Sequence, residues 1–235
     1  MAETETKEIP DKPSIVVCGD TFNIPANKDL TVGPGLVFRN NAITCTKPGV
    51  IKSNDKSVWI DRNNRRYVPV LEERVVGIII GRVMDEYRID IGGAHVAMMS
   101  SIAFEGATQR NKPELKPGNV VFARVIAANK DVEPELACVN KKGKANGLQV
   151  LEGGHIIQCS LGLCRKLRQH KSPLTQPLLN HFKSFELCVG MNGRIWVRSD
   201  TNKHTVAISI YLKQCEHLSV SDAVMSLRHT VKALG

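Results

Sequence analysis

Aromatic residues make up only 5% of this 235-residue chain, too few to supply both a packed core and an extended platform for stacking bases. There is no C-x-x-C pair, which argues against a zinc knuckle. The seven cysteines are odd in number and irregularly spaced, so a disulfide framework is not indicated and a reducing compartment is. Cys159 and Cys164 fall in an otherwise apolar run, which suits buried thiols better than metal ligands. No apolar stretch approaches the roughly 20 residues that cross a bilayer, so no membrane partner is expected. Residues 1–13 are rich in Glu, Lys and Thr and contain no apolar h-region. They are read as a disordered arm rather than a secretory leader, and the protein as soluble and intracellular. The histidines are scattered with no Ser or Cys partner that spacing identifies, which leaves nucleophilic catalysis unsupported. No cofactor or metal site is indicated, and no internal repeat or low-complexity tract is present.

What the chain does have is positive charge, a formal +9, which favours a polyanionic partner. Three segments follow one another. Residues 14–72 show short candidate strands (14–18, 36–39, 42–46, 57–61 and 66–70) separated by Gly33-Pro34-Gly35, Asn40-Asn41 and Asn63-Asn64 turns, a small all-β unit. Residues 73–142 hold five more candidate strands, at 75–83, 88–91, 95–100, 120–128 and 135–139, with an irregular insert at 101–118 after the third. Five strands with a longer connection after the third is the plan of an OB-type barrel. Beyond a basic, glycine-containing linker at 141–147, residues 148–235 read as α+β. Helices are expected at 162–169 and 174–183, strands on either side of Gly190–Gly193, a third strand at 205–212, and a final helix opened by Ser219 with Asp222. The expected fold class is therefore multi-domain and mainly β, with an α+β unit at the C-terminal end.

Charge is distributed unevenly. Between Glu152 and Glu186 there is no acidic residue, while Arg165, Lys166, Arg168, Lys171 and Lys183 lie in that interval. A purely solvating helix face usually mixes signs, so Arg165, Lys166, Arg168 and Lys171 are candidate contacts to an RNA backbone. Arg82, Arg110 and Lys112 are candidates on the barrel, whose second and third strands offer only Tyr87, His95, Met98 and Met99 as possible surfaces for bases. Binding is accordingly expected to be electrostatic and tolerant of sequence. The nearest approach to a metal-binding carboxylate set is Asp85, Glu86 and Asp90, and it reads as solvated hairpin charge rather than a two-metal nuclease site.

Gly190-Met191-Asn192-Gly193 matches the G-X-X-G spacing by which KH domains clamp nucleotide backbone between two helices. Here the flanks, Phe185–Val189 and Arg194–Val197, alternate like strands, and the basic loop His170–Pro173 occupies the position between the two expected helices. Gly190, Asn192 and Gly193 are therefore assigned to a structural turn that needs small residues for close backbone approach.

Arg66–Val70, Phe104–Thr108, Ala128–Asp131, Glu133–Glu135, Leu161–Leu163, Gly190–Val197 and Cys215–His217 together resemble the cap subunits of the RNA exosome, within which the chain is most similar to the family of ribosomal RNA-processing protein 40. The similarity covers about residues 14–219. It implies an S1-type OB barrel followed by a KH-like domain, and no catalysis. It further implies a seat on a ring of RNase PH-like subunits beside other cap subunits, single-stranded RNA as ligand, and residence in the nucleus, nucleolus and cytoplasm. It also implies that the G-x-N-G element lies at the join between the S1 and KH units. The competing readings are a free-standing RNA-binding factor and, from the enzyme class, a 3′ exoribonuclease.

Overall fold

The computed structural model describes residues 6–8, 13–23, 30–39, 42–54, 56–62, 64, 66–129, 131–169 and 172–234. These form two compact units, residues 1–63 and 64–235.

The first unit is all β. Its strands are β1 (Thr6–Glu8), β2 (Ser14–Val16), β3 (Thr21–Asn23), β4 (Thr31–Val32), β5 (Leu36–Arg39), β6 (Ala42–Cys45), β7 (Gly49–Ser53) and β8 (Ser57–Asp61). They make two four-stranded sheets, ordered β1-β3-β6-β5 and β2-β7-β8-β4. Phe22, Leu36, Ile43, Ile51, Val58 and Ile60 share one core. The strict alternation in β8, with Val58 and Ile60 inward, is the period-2 pattern of a strand with one buried face. The arm expected to be disordered is ordered at Thr6–Glu8, which pairs in parallel with Thr21–Asn23. Edge pairing of this kind uses backbone groups, so a polar segment with no apolar run can still join a sheet. The Asn40-Asn41 turn and Asn63 lie outside the described residues.

The second unit begins with a barrel of β9 (Arg74–Val83), β10 (Glu86–Asp90), β11 (Ala97–Ser100), β12 (Val120–Ala127) and β13 (Glu135–Ala137). The order β13-β11-β10-β9-β12 closes through a β13–β12 pairing, giving the five-stranded OB plan. β14 (Gln149–Leu151) adds to β12 beyond the linker, so the barrel's sheet extends past residue 142. At the other end Tyr67 also belongs to the barrel core, its hydroxyl donating to Glu73 at 2.7 Å. Residues 66–70, expected as a strand, form none. Tyr67 turns inward while Val68 and Val70 face out, so the alternation is real but no neighbouring strand takes up its backbone groups. The insert at 101–118 is irregular as expected. It is held by the buried Tyr87, whose hydroxyl donates to the Pro113 carbonyl at 2.5 Å.

The remainder is α+β: β15 (His155–Gln158), α1 (Leu161–Arg168), α2 (Gln176–His181), β16 (Phe185–Val189), β17 (Arg194–Ser199), α3 (Asn202–Gln214) and α4 (Val220–Leu234). β17 lies at the centre of the sheet β15-β17-β16. Its inward residues Ile195 and Val197 pack with Leu163, Leu167 and Leu178 of the first two helices and with Ile208, Tyr211 and Leu212 of α3.

The strand expected at Thr205–Leu212 is the middle of α3. Val206, Ile208 and Ile210 alternate like strand residues, yet Ala207, Ile208, Tyr211, Leu212 and Cys215 are the buried set, a helical spacing. The Thr201 hydroxyl accepts the His204 N–H and caps the helix. Packing against the sheet outweighed a weak β propensity, whose effect depends on context. The observed order is thus strand, two helices, two strands, two helices. Ser219 opens α4 as expected, its hydroxyl accepting the Asp222 N–H at 3.3 Å and donating to the Asp222 carboxylate at 2.6 Å.

Candidate nucleic-acid interface and the glycine turn

Gly190–Gly193 is the turn between β16 and β17, and its Met191 N–H and Asn192 side chain are committed to the barrel. The Met191 N–H donates to the Arg74 carbonyl at 2.8 Å. The Asn192 side-chain amide then acts as a stand-in peptide group. Its oxygen accepts the Val76 N–H at 3.2 Å, and its nitrogen donates to the carbonyls of Val76 at 2.8 Å and Ile91 at 2.9 Å. Asn192 is buried, so each of these bonds replaces a lost bond to water and gives a backbone group of Val76 or Ile91 its partner.

Two glycines permit the approach. At Gly190 a Cβ would stand 2.7 Å from the Val76 nitrogen and 2.9 Å from the Arg194 carbonyl oxygen. At Gly193 φ is +77°, and a Cβ would come within 2.7 Å of the Cys159 carbonyl oxygen. A left-handed backbone with no room for a side chain is a position for glycine.

The next two alternate residues on β17 continue the contact. The buried Arg194 guanidinium donates to the Asp90 carbonyl at 2.6 Å and to its carboxylate at 2.5 Å. Burial pushes the Asp90 carboxyl up, but the bonds from Arg194 and the Gly92 N–H, with the Arg194 charge, together hold it below the usual carboxylate range. Trp196 belongs to the barrel core and donates its indole N–H to the Gly153 carbonyl at 2.9 Å. Barrel and α+β unit are thus one body, joined by the hairpin that carries the glycine motif. The Met191 N–H and the Asn192 side chain are thus spent on the barrel and are not held out to a phosphate.

The candidate cations divide into two groups. On the barrel, Arg82 and Lys112 both pair with Asp85. The hydrogen bond from Lys112 first, then its charge and Arg82, hold the Asp85 carboxyl below its ordinary range. Arg82 also lies over the Tyr87 ring, 5.7 Å from its centre. Both cations are therefore partly neutralised where they stand. Arg110 is exposed on the insert. Sequence reasoning missed Arg88, which faces solvent on β10 between the buried Tyr87 and Ile89; that alternation was the available signal. Tyr87 and Met99, weighed as surfaces for bases, are core residues.

On α1, Leu163, Cys164 and Leu167 face the core while Arg165, Lys166 and Arg168 face out in the last turn. Cations at a helix C-terminus also favour the helix itself through its dipole. The Ser160 hydroxyl caps the other end by accepting the Leu163 N–H. Lys166 and Arg168 are exposed. Arg165 is exposed too, though it has a partner of its own. Lys171 lies outside the described residues.

The profile of the family described as "Exosome complex component RRP40, S1 domain" matches residues 67–149, and that of a KH domain matches residues 154–203. Exosome complex component rrp40 of Schizosaccharomyces pombe is 38% identical over 218 residues, covering 90% of this chain and 90% of the relative. Exosome complex component RRP40 of Homo sapiens is 35% identical over 195 residues, 80% of this chain and 70% of the relative. A crystal structure assigned to an exosome complex RNA-binding protein aligns over 73% of this chain and all of its own, with a TM-score of 0.59 at 19% identity, a likeness that concerns the fold alone. On the sequence relationships, this chain belongs to the Rrp40 family of exosome complex components.

Proposed function

We propose that this protein is a non-catalytic, RNA-binding cap subunit of the RNA exosome. It seats on a ring of RNase PH-like subunits alongside other cap subunits, helps hold the ring together, and guides single-stranded RNA toward 3′ to 5′ processing and degradation. The observation that carries the RNA-binding part is α1. Its outward Lys166 and Arg168 lie in a stretch without acidic residues, on a domain locked to the barrel through Asn192 and Arg194. Cations on a rigid body can hold phosphate at a fixed place without reading bases. Such contacts suit an entrance through which RNAs of many sequences pass.

The absence of catalysis is supported by where the carboxylates are spent. Asp85 is held by Lys112 and Arg82, and Asp90 by Arg194; the acids that a metal-dependent nuclease would direct at a pair of ions serve here as counter-charges. The seat of action follows the family's: nucleus, nucleolus and cytoplasm.

Affinity purification of the full chain from cells tests the proposal, with native mass measurement of what comes with it. The expected result is a large assembly containing RNase PH-like subunits. Migration alone or on ribosomes would contradict it and favour a free-standing RNA-binding factor. Incubation of the pure protein with labelled RNA, Mg²⁺ and phosphate should leave the RNA full length. Metal-dependent shortening that disappears in Asp90→Ala would instead make the chain an exoribonuclease.

A further inference from the structure

Cys159 and Cys164 place their sulfurs 3.4 Å apart. Cys159 ends the segment after β15 and is partly exposed, whereas Cys164 is fully buried in the first turns of α1. Cys159 is anchored on both sides of its side chain. Its N–H donates to the Gly193 carbonyl at 2.9 Å, and the next residue, Ser160, gives its N–H to the Glu216 carboxylate at 3.0 Å while capping α1. The remaining cysteines are not placed this way: Cys45, Cys138 and Cys215 are buried, Cys188 is partly buried, and Cys18 is exposed on the first unit.

We infer that Cys159 and Cys164 form a peroxide-sensitive dithiol that closes reversibly to an intrachain disulfide. The sulfurs need to approach by roughly 1.4 Å to reach a bond length of ~2.05 Å, a shift within the reach of side-chain rotation and a small movement of the α1 start. The two sulfurs share a hydrogen bond. The hydrogen bond from Cys159 holds the Cys164 thiol below its ordinary value, while burial pushes Cys138 up to about 12 and Cys45 and Cys188 to about 11. The hydrogen bond to Cys164, then burial, push the Cys159 thiol up, so the bridging proton rests on Cys159, the sulfur that solvent reaches.

The chemistry balances with hydrogen peroxide as the oxidant. The Cys159 sulfur attacks one peroxide oxygen as its proton passes to the hydrogen-bonded Cys164 sulfur, and the O–O bond breaks. Hydroxide leaves and takes up a proton as water, and Cys159 becomes a sulfenic acid. The Cys164 sulfur then attacks the Cys159 sulfur. An S–S bond forms, the S–O bond breaks, and the hydroxyl leaves as a second water with the Cys164 proton. Two thiols are oxidised and one peroxide is reduced to two waters. Dithiols of small molecules or proteins return the pair to its reduced form by exchange. The closed form would fasten the α1 start to the strand that backs Gly193.

Peptide mapping of the full chain after brief exposure to hydrogen peroxide tests this directly. Trypsin leaves residues 145–165 as one peptide containing only these two cysteines. The expected result is a peptide lighter by two hydrogens that refuses alkylation and recovers both alkylation sites after reduction. In Cys164→Ser the same exposure should leave Cys159 as a sulfenic acid that dimedone traps. The inference is overturned if both sulfurs stay open to alkylation after exposure that oxidises Cys18. It is equally overturned if Cys159 joins another chain or is carried to the sulfinic acid in place of the internal bond.

Discussion

The hairpin turn at Gly190–Gly193 and the helix α1 both carry a sequence mark of RNA binding, and they use polar groups in opposite ways. In the turn, Asn192 is buried and each amide atom is matched to a barrel backbone group, so the residue specifies which two domains meet and in what register. On α1, Lys166 and Arg168 are exposed, so their charge remains available to a partner. A motif's spacing is shared by both uses. Burial and the direction of the donors separate them, and the outcome here is a G-X-X-G sequence that builds the domain join and a helix that offers the charge.

Asn192→Asp should give the largest effect. It replaces a donor by a carboxylate opposite the carbonyls of Val76 and Ile91, at a cost of about 3 to 5 kcal/mol for an unmatched buried charge. Urea unfolding would read this, with Asn192→Ala expected at about 2 kcal/mol. If Asn192→Asp were as stable as wild type, the turn would not be the join. Reversing Arg165, Lys166 and Arg168 to Glu should cost about 1 to 2 kcal/mol through the helix dipole and leave the protein folded, while lowering single-stranded RNA affinity by about tenfold or more at low salt. A variant that unfolds, or one that binds normally, breaks the contrast from its other side.

Acid should act on the join and not on α1. The Asp90 carboxyl lies below its unfolded value, so its contribution is fully present above a pH of about 4 and is lost as pH falls through the lower folded value. Unfolding measured between about pH 5 and pH 2 should therefore show a loss of stability that Asp90→Asn reduces. An identical pH profile in that variant would remove Asp90 from the account. The smallest effect belongs to the barrel cations. Asp85→Asn releases Lys112 and Arg82 from their exposed pairing, and RNA affinity should rise by about twofold or less, since such pairs are weak. A rise of tenfold would mean that the barrel, and not α1, is the main contact.

Several elements were legible because one principle governed them. β8 lies at Ser57–Asp61 as its alternation requires, and α4 opens where the Ser219–Asp222 pair caps it. The five barrel strands follow from alternation and turn residues. The short β14 and β15 were not seen, because three or four residues give too little periodicity to stand out. α3 was misread because its β-branched residues alternate while its burial, set by the sheet beneath, runs with helical spacing. The partners of Asn192 lie 116 and 101 residues away, and no local pattern states such contacts. The resemblance to cap subunits pointed to the join, but only the geometry shows the amide serving as a substitute peptide group. Arg82 and Lys112 were read as candidate RNA contacts; the Arg82–Asp85 pair is only three residues apart, whereas the Lys112–Asp85 pair, formed across the irregular insert, leaves no mark in sequence order.

The salt dependence of single-stranded RNA binding, compared between wild type and the Arg165→Glu, Lys166→Glu, Arg168→Glu variant, tests the division between join and interface most directly. Each lost phosphate contact removes about 0.7 from the slope of log affinity against log salt for a single strand. The account predicts a variant slope shallower by about 1 to 2 in a protein that remains folded. Parallel lines, with the same slope in both proteins, would contradict it and place the RNA elsewhere on the molecule.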